Sequence, residues 1–350
     1  MKILLIDQLS PRGHVKYDKY WINILKNLKI DFEFIGRESF LKSMAIDKKF
    51  IKLSIPEKYY ENVTNKNILI REYALIKLLL YIKSNINIMA YSNIVFLSFE
   101  NISMFLSMFF HQKKILLILH NNLKHINNKI IYNIVKFLSK SNTLISLDDF
   151  INVNLSRMGI ENKVIIHPLI GSYVQQNNLK NNKEIIIFSP SITSVDKKIL
   201  IFLLQDEKLK KILQEKNIKL ILRDKELKSS IDNIVILSEF LSEDSYSNLM
   251  EKSDIIFLPY EKDFNNRISG VLLEAISLEK SLIIPKYNNL KYFLNFKQEN
   301  IKGFIDIDEL KQILKDVNKM LKRNNYENIK ENYSMNKMKE DILRLIEKED

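Results

Sequence analysis

Short apolar runs and longer helical patterns alternate along the first 170 residues of the chain. The runs are rich in β-branched residues and apolar almost throughout, which is typical of strands covered on both faces of a sheet. They are Ile3–Ile6, Phe32–Ile35, Ile94–Phe99, Ile115–Leu119, Thr143–Leu147 and Val164–His167. The segments with helical spacing are Tyr17–Leu28, Arg71–Lys83, Asn127–Ser139 and Phe150–Met158. This alternation predicts a parallel sheet with right-handed crossovers.

A polar segment, residues 171–183, interrupts this pattern and is predicted to be a linker. The alternation then resumes with a second set of strands and helices. The strands are Glu184–Phe188, Ile218–Leu222, Ile234–Leu237, Asp254–Leu258 and Leu282–Pro285, and the helices are Asp196–Glu215, Glu243–Lys252, Gly270–Leu278 and Ser334–Glu347. We therefore expect an α/β domain over residues 1–170, a second over 171–333, and a final amphipathic helix, 334–350, that packs back on the first.

Composition fits two α/β domains with substantial cores, since 46% of the 350 residues are hydrophobic. The chain has no cysteine, which excludes disulfides and thiolate metal sites. The apolar stretch Ile3–Ile6 is too short for a signal-peptide core, and no run reaches the roughly 18–20 apolar residues of a spanning helix. We therefore expect a cytoplasmic protein.

The positive charge is concentrated in the first half of the chain. Residues 1–170 carry 24 of the 54 basic residues but only 13 of the 42 acidic ones. A basic field over one domain favours polyanionic partners, either nucleic acid or an anionic membrane surface. Genome bias explains the excess of lysine over arginine but not the imbalance between halves. Because the chain has no recognisable nucleic-acid-binding motif, we expect a protein peripheral on the inner face of the cell membrane and no nucleic-acid partner.

The segment 255–285 contains the most informative candidate site. A strand ends near Leu258, a polar loop follows, and Ser269 is placed as the N-cap of a helix that Gly270 opens. Ligands bind at such carboxyl ends of parallel strands, and the free N–H groups of Gly270 and Val271 attract anions. Arg267 is suited to grip a diphosphate, and Glu274, one turn into the helix, to accept bonds from ribose hydroxyls. Each of these residues also has a purely structural explanation; their combination favours a ligand site.

Residues 234–285 resemble the donor-binding region of GT-B glycosyltransferases, particularly the retaining family 4. The phrase Leu272-Leu273-Glu274-Ala275 is similar to the end of that family's E-x7-E motif, and Glu274 matches its second glutamate. The resemblance implies two Rossmann-like domains facing a central cleft, a UDP- or GDP-sugar donor, and a ribose contact by Glu274. It also implies that the residues Ser238, Glu239 and Phe240 face the nucleobase.

The chain departs from this family pattern at two places. Asn266 stands where the first glutamate of the motif is expected. The basic pair that usually binds the diphosphate falls on the sequence SPSITSVDKK, so Lys197 or Lys198 is the candidate there, with Arg223 or Arg267 in place of the missing arginine. These changes put the donor sugar in question.

In the first half, candidate residues follow three of the predicted strands. Gly13 and His14 follow the first strand; Gly13 resembles a glycine that approaches the phosphate or the acceptor, and His14 is a candidate base. Glu100 and His120 follow the third and fourth strands, and the family often has a histidine at the latter place. For the loop that carries Gly13 and His14, the alternative is an ordinary surface loop. No His, Asp and Glu set has zinc spacing, and Asp306-Ile307-Asp308 is interpreted as a helix start, so we expect no metal site.

These observations predict a metal-independent hexosyltransferase that uses a nucleotide-sugar as co-substrate and needs no other cofactor. The expected acceptor is a saccharide, attached to a lipid carrier, in bacterial surface polysaccharide or glycoconjugate synthesis. The alternative is a non-catalytic partner subunit of the same fold, which the missing first glutamate favours. A dinucleotide oxidoreductase is disfavoured because GxGxxG does not follow the first strand.

Overall fold

The computed structural model describes residues 1–169, 184–229, 231–239, 241–321 and 326–347. Backbone contacts divide the chain into two compact units. The first holds Met1–His167, Asn266–Ile268 and Met335–Asp350, and the second holds Pro168–Asn265 and Ser269–Ser334. The predicted linker, residues 171–183, lies outside the described residues.

The first unit is built on a seven-stranded parallel sheet with the strand order β3-β2-β1-β4-β5-β6-β7. Its strands are β1 (Lys2–Asp7), β2 (Asp31–Arg37), β3 (Ile51–Ile55), β4 (Asn93–Ser98), β5 (Ile115–Ile118), β6 (Thr143–Ser146) and β7 (Lys163–Val164). The central strands are buried on both faces, as their unbroken apolar runs predict. The predicted strand Val164–His167 is wrong in extent, because β7 covers only Lys163–Val164, although the N–H groups of Ile165 and His167 still donate to the Ser146 and Leu147 carbonyls.

Helices cover both faces of this sheet. They are α1 (Val15–Asn27), α2 (Glu38–Met44), α3 (Ile68–Ser84), α4 (Asn101–Leu106), α5 (Lys129–Ser141), α6 (Asp149–Arg157) and, from the end of the chain, α13 (Met335–Glu347). Right-handed crossovers put α1 and α2 on one face and α3, α4 and α5 on the other, because the strand order reverses direction at β1.

The hydrophobic core on the α1 side of the sheet includes part of the C-terminal helix. Trp21 of α1 packs there with Ile3 and Leu5 of β1, and Met338 and Ile342 of α13 belong to the same cluster. The helix α13 presents these residues at helical spacing, as its amphipathic pattern predicts. It therefore packs within the first unit.

The second unit contains a six-stranded parallel sheet with the order β10-β9-β8-β11-β12-β13. The strands are β8 (Ile185–Ser189), β9 (Ile218–Arg223), β10 (Ile234–Leu237), β11 (Ile255–Phe257), β12 (Ser281–Pro285) and β13 (Ile301–Phe304). The helices are α7 (Lys197–Gln205), α8 (Glu207–Glu215), α9 (Glu243–Lys252), α10 (Gly270–Ser277), α11 (Ile307–Lys315) and α12 (Glu327–Asn332). Both units are thus α/β domains of the Rossmann-like kind, which confirms the predicted fold class.

The predicted helix Asp196–Glu215 is wrong as a single element. Asp206 is extended, ends α7, and caps α8 by accepting the Leu209 N–H at 2.8 Å. Lys311 holds the same carboxylate through a 2.6 Å ion pair. A capping aspartate in mid-pattern offers the backbone an alternative to continuing the helix. By contrast, Asp306 caps α11 through the Glu309 N–H, which confirms the predicted helix start.

None of the described helices combines the length and the apolar character required to cross a bilayer.

Candidate functional site

Polar side chains of the second unit meet where β8, β9 and β11 end. Because these strands are parallel and adjacent, their carboxyl ends lie at one edge of the sheet, which is the usual ligand-binding edge of such folds. Arg223 ends β9, Ser191 follows β8, and Tyr260 follows β11. The helix α10 begins beside them at Gly270.

A chain of hydroxyl groups fixes the start of α10. Tyr260 Oη lies 2.7 Å from Ser191 Oγ and 3.2 Å from Ser269 Oγ. Ser269 Oγ accepts the Leu272 N–H at 3.1 Å, which confirms Ser269 as the N-cap. The positive end of the helix dipole, with the N–H groups of Gly270 and Val271, is thereby held in a defined place. Such an arrangement suits an anionic ligand group.

Glu274 is held by a tyrosine that the sequence did not single out. Tyr246, on α9, donates its hydroxyl to Glu274 Oε2 at 2.9 Å. Burial, and then the Glu274 carboxylate, raise the pKa of Tyr246, so the phenol stays protonated and acts as a donor. This bond orients the half-buried carboxylate of Glu274.

Arg223 is a buried cation with a donor to spare. Its Nη1 donates to the Pro190 carbonyl at 3.0 Å, whereas its Nε is buried and finds no acceptor among the residues the structure describes. Desolvation by burial lowers the pKa of Arg223, which remains charged at neutral pH because the ordinary value is 12.5. A buried, incompletely satisfied guanidinium at a ligand-binding edge favours an anion as the missing partner.

The other predicted donor-binding residues of this unit lie at its surface. Lys197 is exposed in the first turn of α7 and forms a 2.6 Å ion pair with Glu226. The backbone N–H of Lys198 donates to the capping Asp196. Ser238 and Glu239 are exposed after β10, and Phe240 lies outside the described residues.

Asn266 and Arg267 belong to the first unit, although the sequence places them just before α10. Asn154 of α6 donates to Asn266 Oδ1 at 3.0 Å. Arg267 is buried, and its Nη1 lies 3.5 Å from Asn121 Oδ1. The assignment of Arg267 to a group with Gly270 remains a prediction, and the observed neighbour of its guanidinium is Asn121.

In the first unit, aromatic rings pack together beyond the ends of β1 and β5. The His14 and His120 ring centroids are 4.2 Å apart, and Tyr17 contacts both His120 and His167 at 4.9 and 4.8 Å. Desolvation lowers the pKa of His14, although the charge of Asp7 opposes this shift. Desolvation, and then the neighbouring histidines, lower the pKa of His120 well below its ordinary value. Both imidazoles are therefore neutral at pH 7, the form in which histidine accepts a proton. Gly13 has open space beside its Cα, so a side chain would fit there.

Two fully buried carboxyl groups lie behind His14. Asp7 at the end of β1 and Asp18 in α1 are both inaccessible to solvent, and their oxygens lie with His14 Nδ1 in a group within 4.8 Å. His14 Nδ1 is 3.9 Å from Asp7 Oδ2. Burial, and then the charge of Asp7, raise the pKa of Asp18 well above its ordinary value. This shift favours the protonated form of Asp18 beside Asp7. Of these three residues, only His14 is a candidate in the sequence analysis.

A second carboxyl pair involves the predicted residue Glu100. Its Oε2 caps α4 by accepting the Ile102 and Ser103 N–H groups at 2.7 and 3.2 Å. Burial, and then the neighbouring carboxyl of Glu72 on α3, raise the pKa of Glu100 to about 7. Arg71 forms a 2.8 Å ion pair with Glu72 Oε1. A carboxyl group that titrates near the working pH is suited to proton transfer.

Sequence reasoning missed Tyr246, Asp18 and Glu72. Tyr246 stands in the first turn of the predicted helix Glu243–Lys252, but no local pattern shows that it meets Glu274. For Glu72 and Asp18, the one available signal in the sequence is that each is a polar residue on the apolar, buried face of a helix.

No protein-family model matches the chain, and no curated protein matches it. Solved structures do match over nearly the whole length. HepE of Anabaena, in complex with UDP-glucose, superposes with a TM-score of 0.64 at 13% identity and covers 99% of this chain and 100% of its own. UDP-GlcNAc 2-epimerase of Methanocaldococcus jannaschii, with UDP-GlcNAc and UDP, gives 0.59 at 14% identity, with 99% and 100% covered.

A third similar structure is Arabidopsis thaliana UGT89C1, complexed with UDP-L-rhamnose. It gives a TM-score of 0.58 at 11% identity, with 99% of this chain and 98% of that one covered. At such identities the similarity concerns the fold. The two parallel sheets, with their helices on both faces, thus have the architecture that glycosyltransferases and sugar-nucleotide epimerases share: the chain has the GT-B fold.

Proposed function

We propose that the protein is a glycosyltransferase that moves a hexosyl group from a UDP- or GDP-sugar to a saccharide acceptor. The observation that carries this proposal is the arrangement of Arg223, Tyr246 and Glu274 around the ligand-binding edge of the second sheet. It supplies an anion site and an oriented carboxylate, which are the two features that a nucleoside diphosphate requires. The similar structures named above hold UDP or UDP-sugars, which supports the same ligand class.

In this proposal the second unit binds the donor. Glu274, oriented by Tyr246, accepts hydrogen bonds from ribose hydroxyls. The diphosphate lies at the N-terminus of α10, where the N–H groups of Gly270 and Val271 and the guanidinium of Arg223 stabilise the charge that develops on the leaving group. Lys197, Lys198 and Arg267 are additional basic candidates for this charge. Ser238, Glu239 and Phe240 are the proposed nucleobase contacts, and Asn266 is the proposed contact for the donor sugar.

The first unit binds the acceptor in this proposal. The neutral imidazoles of His14 and His120 and the carboxyl of Glu100, with its pKa of about 7, are the groups able to accept the proton of an acceptor hydroxyl or to contact the sugars. Retention of the anomeric configuration is proposed on the family resemblance alone. An inverting enzyme would require one of these groups as the base, so the anomeric configuration of the product distinguishes the two.

We further propose that the acceptor is linked to a lipid and that the protein acts at the inner face of a bacterial membrane, in the synthesis of a surface polysaccharide or glycoconjugate. The basic charge of residues 1–170 supports an anionic surface as the partner. Catalysis without a metal ion is part of the proposal, with Arg223 and the α10 dipole in its place.

The second candidate function is a partner subunit that binds a sugar nucleotide without turnover. The observation that favours it is Asn266 at the place where the resembling family has its first glutamate. This subunit would retain the Glu274 site and bind the nucleotide, but it would transfer no sugar.

The experiment that tests the donor site is thermal stabilisation of the purified protein by UDP, GDP and their sugars. A ligand at 100 times its dissociation constant adds about 2.7 kcal/mol to the free energy of unfolding, which raises the melting temperature measurably. We expect UDP or GDP to stabilise the wild type and to have little effect on Glu274→Ala. Glu243→Ala, which removes an exposed carboxylate in α9, is the matched control and should respond like the wild type.

Each outcome of this experiment decides between the proposals. Stabilisation by a nucleotide together with transfer of the sugar to a saccharide supports the enzyme. Stabilisation without transfer to any acceptor supports the partner subunit. If no nucleotide stabilises the wild type, both proposals are wrong about the site at Glu274.

A further inference from the structure

The helix α3 is apolar on both its buried and its exposed sides. Its inner side packs into the first unit through Leu75, Leu78, Leu79 and Ile82. Its outer side nevertheless exposes Leu69, Tyr73 and Leu80, which are 77%, 70% and 52% accessible. These three residues follow helical spacing along one stripe, with Lys77 between Tyr73 and Leu80. A helix that is apolar all round is normally covered on every side. The outer stripe of α3 therefore indicates a surface that is covered by a lipid phase or by another molecule.

Exposed apolar residues continue on the neighbouring helices. The helix α4 packs against both α3 and α5, and the Phe105 ring of α4 lies 5.1 Å from Phe137 of α5. Beyond α3, the exposed members are Leu106, at the end of α4, Met108 in the following turn, and Ile130 in the first turn of α5. We call this set the apolar face: Leu69, Tyr73, Leu80, Leu106, Met108 and Ile130.

The chain segment that carries the apolar face is mostly basic. Residues 62–141 contain ten Lys and Arg but only two acidic residues, Glu72 and Glu100. Glu72 is buried and paired with Arg71, and Glu100 caps α4. Lys66, Lys77 and Lys129 are exposed and have no acidic partner in the part of the chain that the structure describes. A partner for this surface must therefore be apolar and must carry negative charge.

We propose that the apolar face docks onto the surface of an anionic lipid bilayer. The leucine, methionine and isoleucine side chains enter the boundary between head groups and acyl chains, and the lysines contact the anionic head groups. This inference rests on the proposed function and deepens it, because it identifies the surface by which a lipid-linked acceptor is reached. The first turns of α3 also carry Glu72, beside Glu100, so docking brings this carboxyl pair close to the lipid surface.

The test is flotation of the full chain with vesicles of phosphatidylglycerol and phosphatidylcholine, compared with vesicles of phosphatidylcholine alone. We expect the wild type to bind the anionic vesicles, and we expect added salt to weaken this binding. Leu69→Ser with Leu80→Ser should weaken the binding roughly tenfold or more, as the burial of two leucines predicts. Because both residues are exposed, the double variant should fold like the wild type.

The matched control is Ile201→Ser with Ile305→Ser, which removes two exposed isoleucines, 40% and 58% accessible, from the second unit. Only the first double variant should lose vesicle binding. Equal losses in both double variants, no vesicle binding by the wild type, or binding to duplex DNA but not to vesicles would overturn the proposal. So would dimerisation in solution that Leu69→Ser with Leu80→Ser abolishes, because a second copy would then cover the apolar face.

A separate measurement on the same samples keeps this proposal distinct from the proposed function. The rise in melting temperature with UDP or GDP reports the Glu274 site and should be the same in both double variants. If the nucleotide effect is absent while vesicle binding depends on Leu69 and Leu80, the docking surface stands and the donor site does not. If the nucleotide effect is present without vesicle binding, the docking surface is wrong.

Discussion

The carboxyl pair Glu72 and Glu100 should make the stability of the first unit depend on pH, and Glu100→Gln should remove this dependence. The pKa of Glu100 is about 7 in the folded protein, whereas its ordinary value is 4.5. Between these values the folded chain holds a proton that the unfolded chain has released. The free energy of unfolding therefore falls as the pH rises from about 4.5 to about 7, and it is constant with respect to this group above that range.

The magnitude follows from the two pKa values. A difference of about 2.5 at 1.36 kcal/mol for each pKa unit corresponds to about 3 kcal/mol. Glutamine keeps a carbonyl oxygen that can accept the Ile102 and Ser103 N–H groups, but it carries no charge beside Glu72. The quantity to compare is the free energy of unfolding of Glu100→Gln minus that of the wild type. We expect this difference to be larger at pH 8 than at pH 4.5, by up to about 3 kcal/mol.

The assay is urea unfolding followed by tryptophan fluorescence at both pH values. Trp21 is the single tryptophan of the chain, it is buried, and it lies in the core of the first unit, so its emission reports this unit. Glu61→Gln, at an exposed position of the same unit, is the control and should behave like the wild type. If Glu100→Gln and the wild type differ by the same free energy at pH 4.5 and pH 8, the two carboxyl groups do not interact as described.

Three further predictions concern single side chains. Asp18→Asn should stabilise the first unit at pH 7, because burial, and then Asp7, raise the pKa of Asp18 and make its ionisation in the folded chain unfavourable. Trp21-detected urea unfolding measures this gain, which should disappear well below the ordinary pKa of Asp, where the wild-type group is protonated in both states; an unchanged gain at low pH would contradict the reasoning. Tyr246→Phe should weaken UDP or GDP binding by about 1 kcal/mol, measured by calorimetry, because Glu274 loses the donor that orients it; an affinity equal to that of the wild type would show that Glu274 needs no such support. Ser269→Ala should lower the free energy of unfolding by about 1 kcal/mol, because α10 loses its N-cap. Calorimetry measures the melting temperature, and an unchanged value would argue against the cap.

Local patterns were sufficient to predict most strands, most helices and the α10 cap, but they missed β3 and β13. Runs such as Ile115–Leu119 are short and rich in branched apolar residues, which favours strands covered on both faces. Ser269 before Gly270 is a good helix start. Both signals depend only on neighbours within a few residues. The break at Asp206 was missed because the apolar spacing continues across it, and the pair with Lys311 that holds it comes from a distant helix.

What the tertiary structure alone decided is which polar groups meet. Tyr246 and Glu274 are 28 residues apart, and Ser191 and Tyr260 are 69 apart. The sequence identified Glu274 and Glu100 as candidates from their places after strands and in a helix, but their partners Tyr246 and Glu72 are set by how the helices α9 and α3 pack. The same is true of the raised pKa values, because burial and the approach of a second carboxyl group exist only in the folded chain.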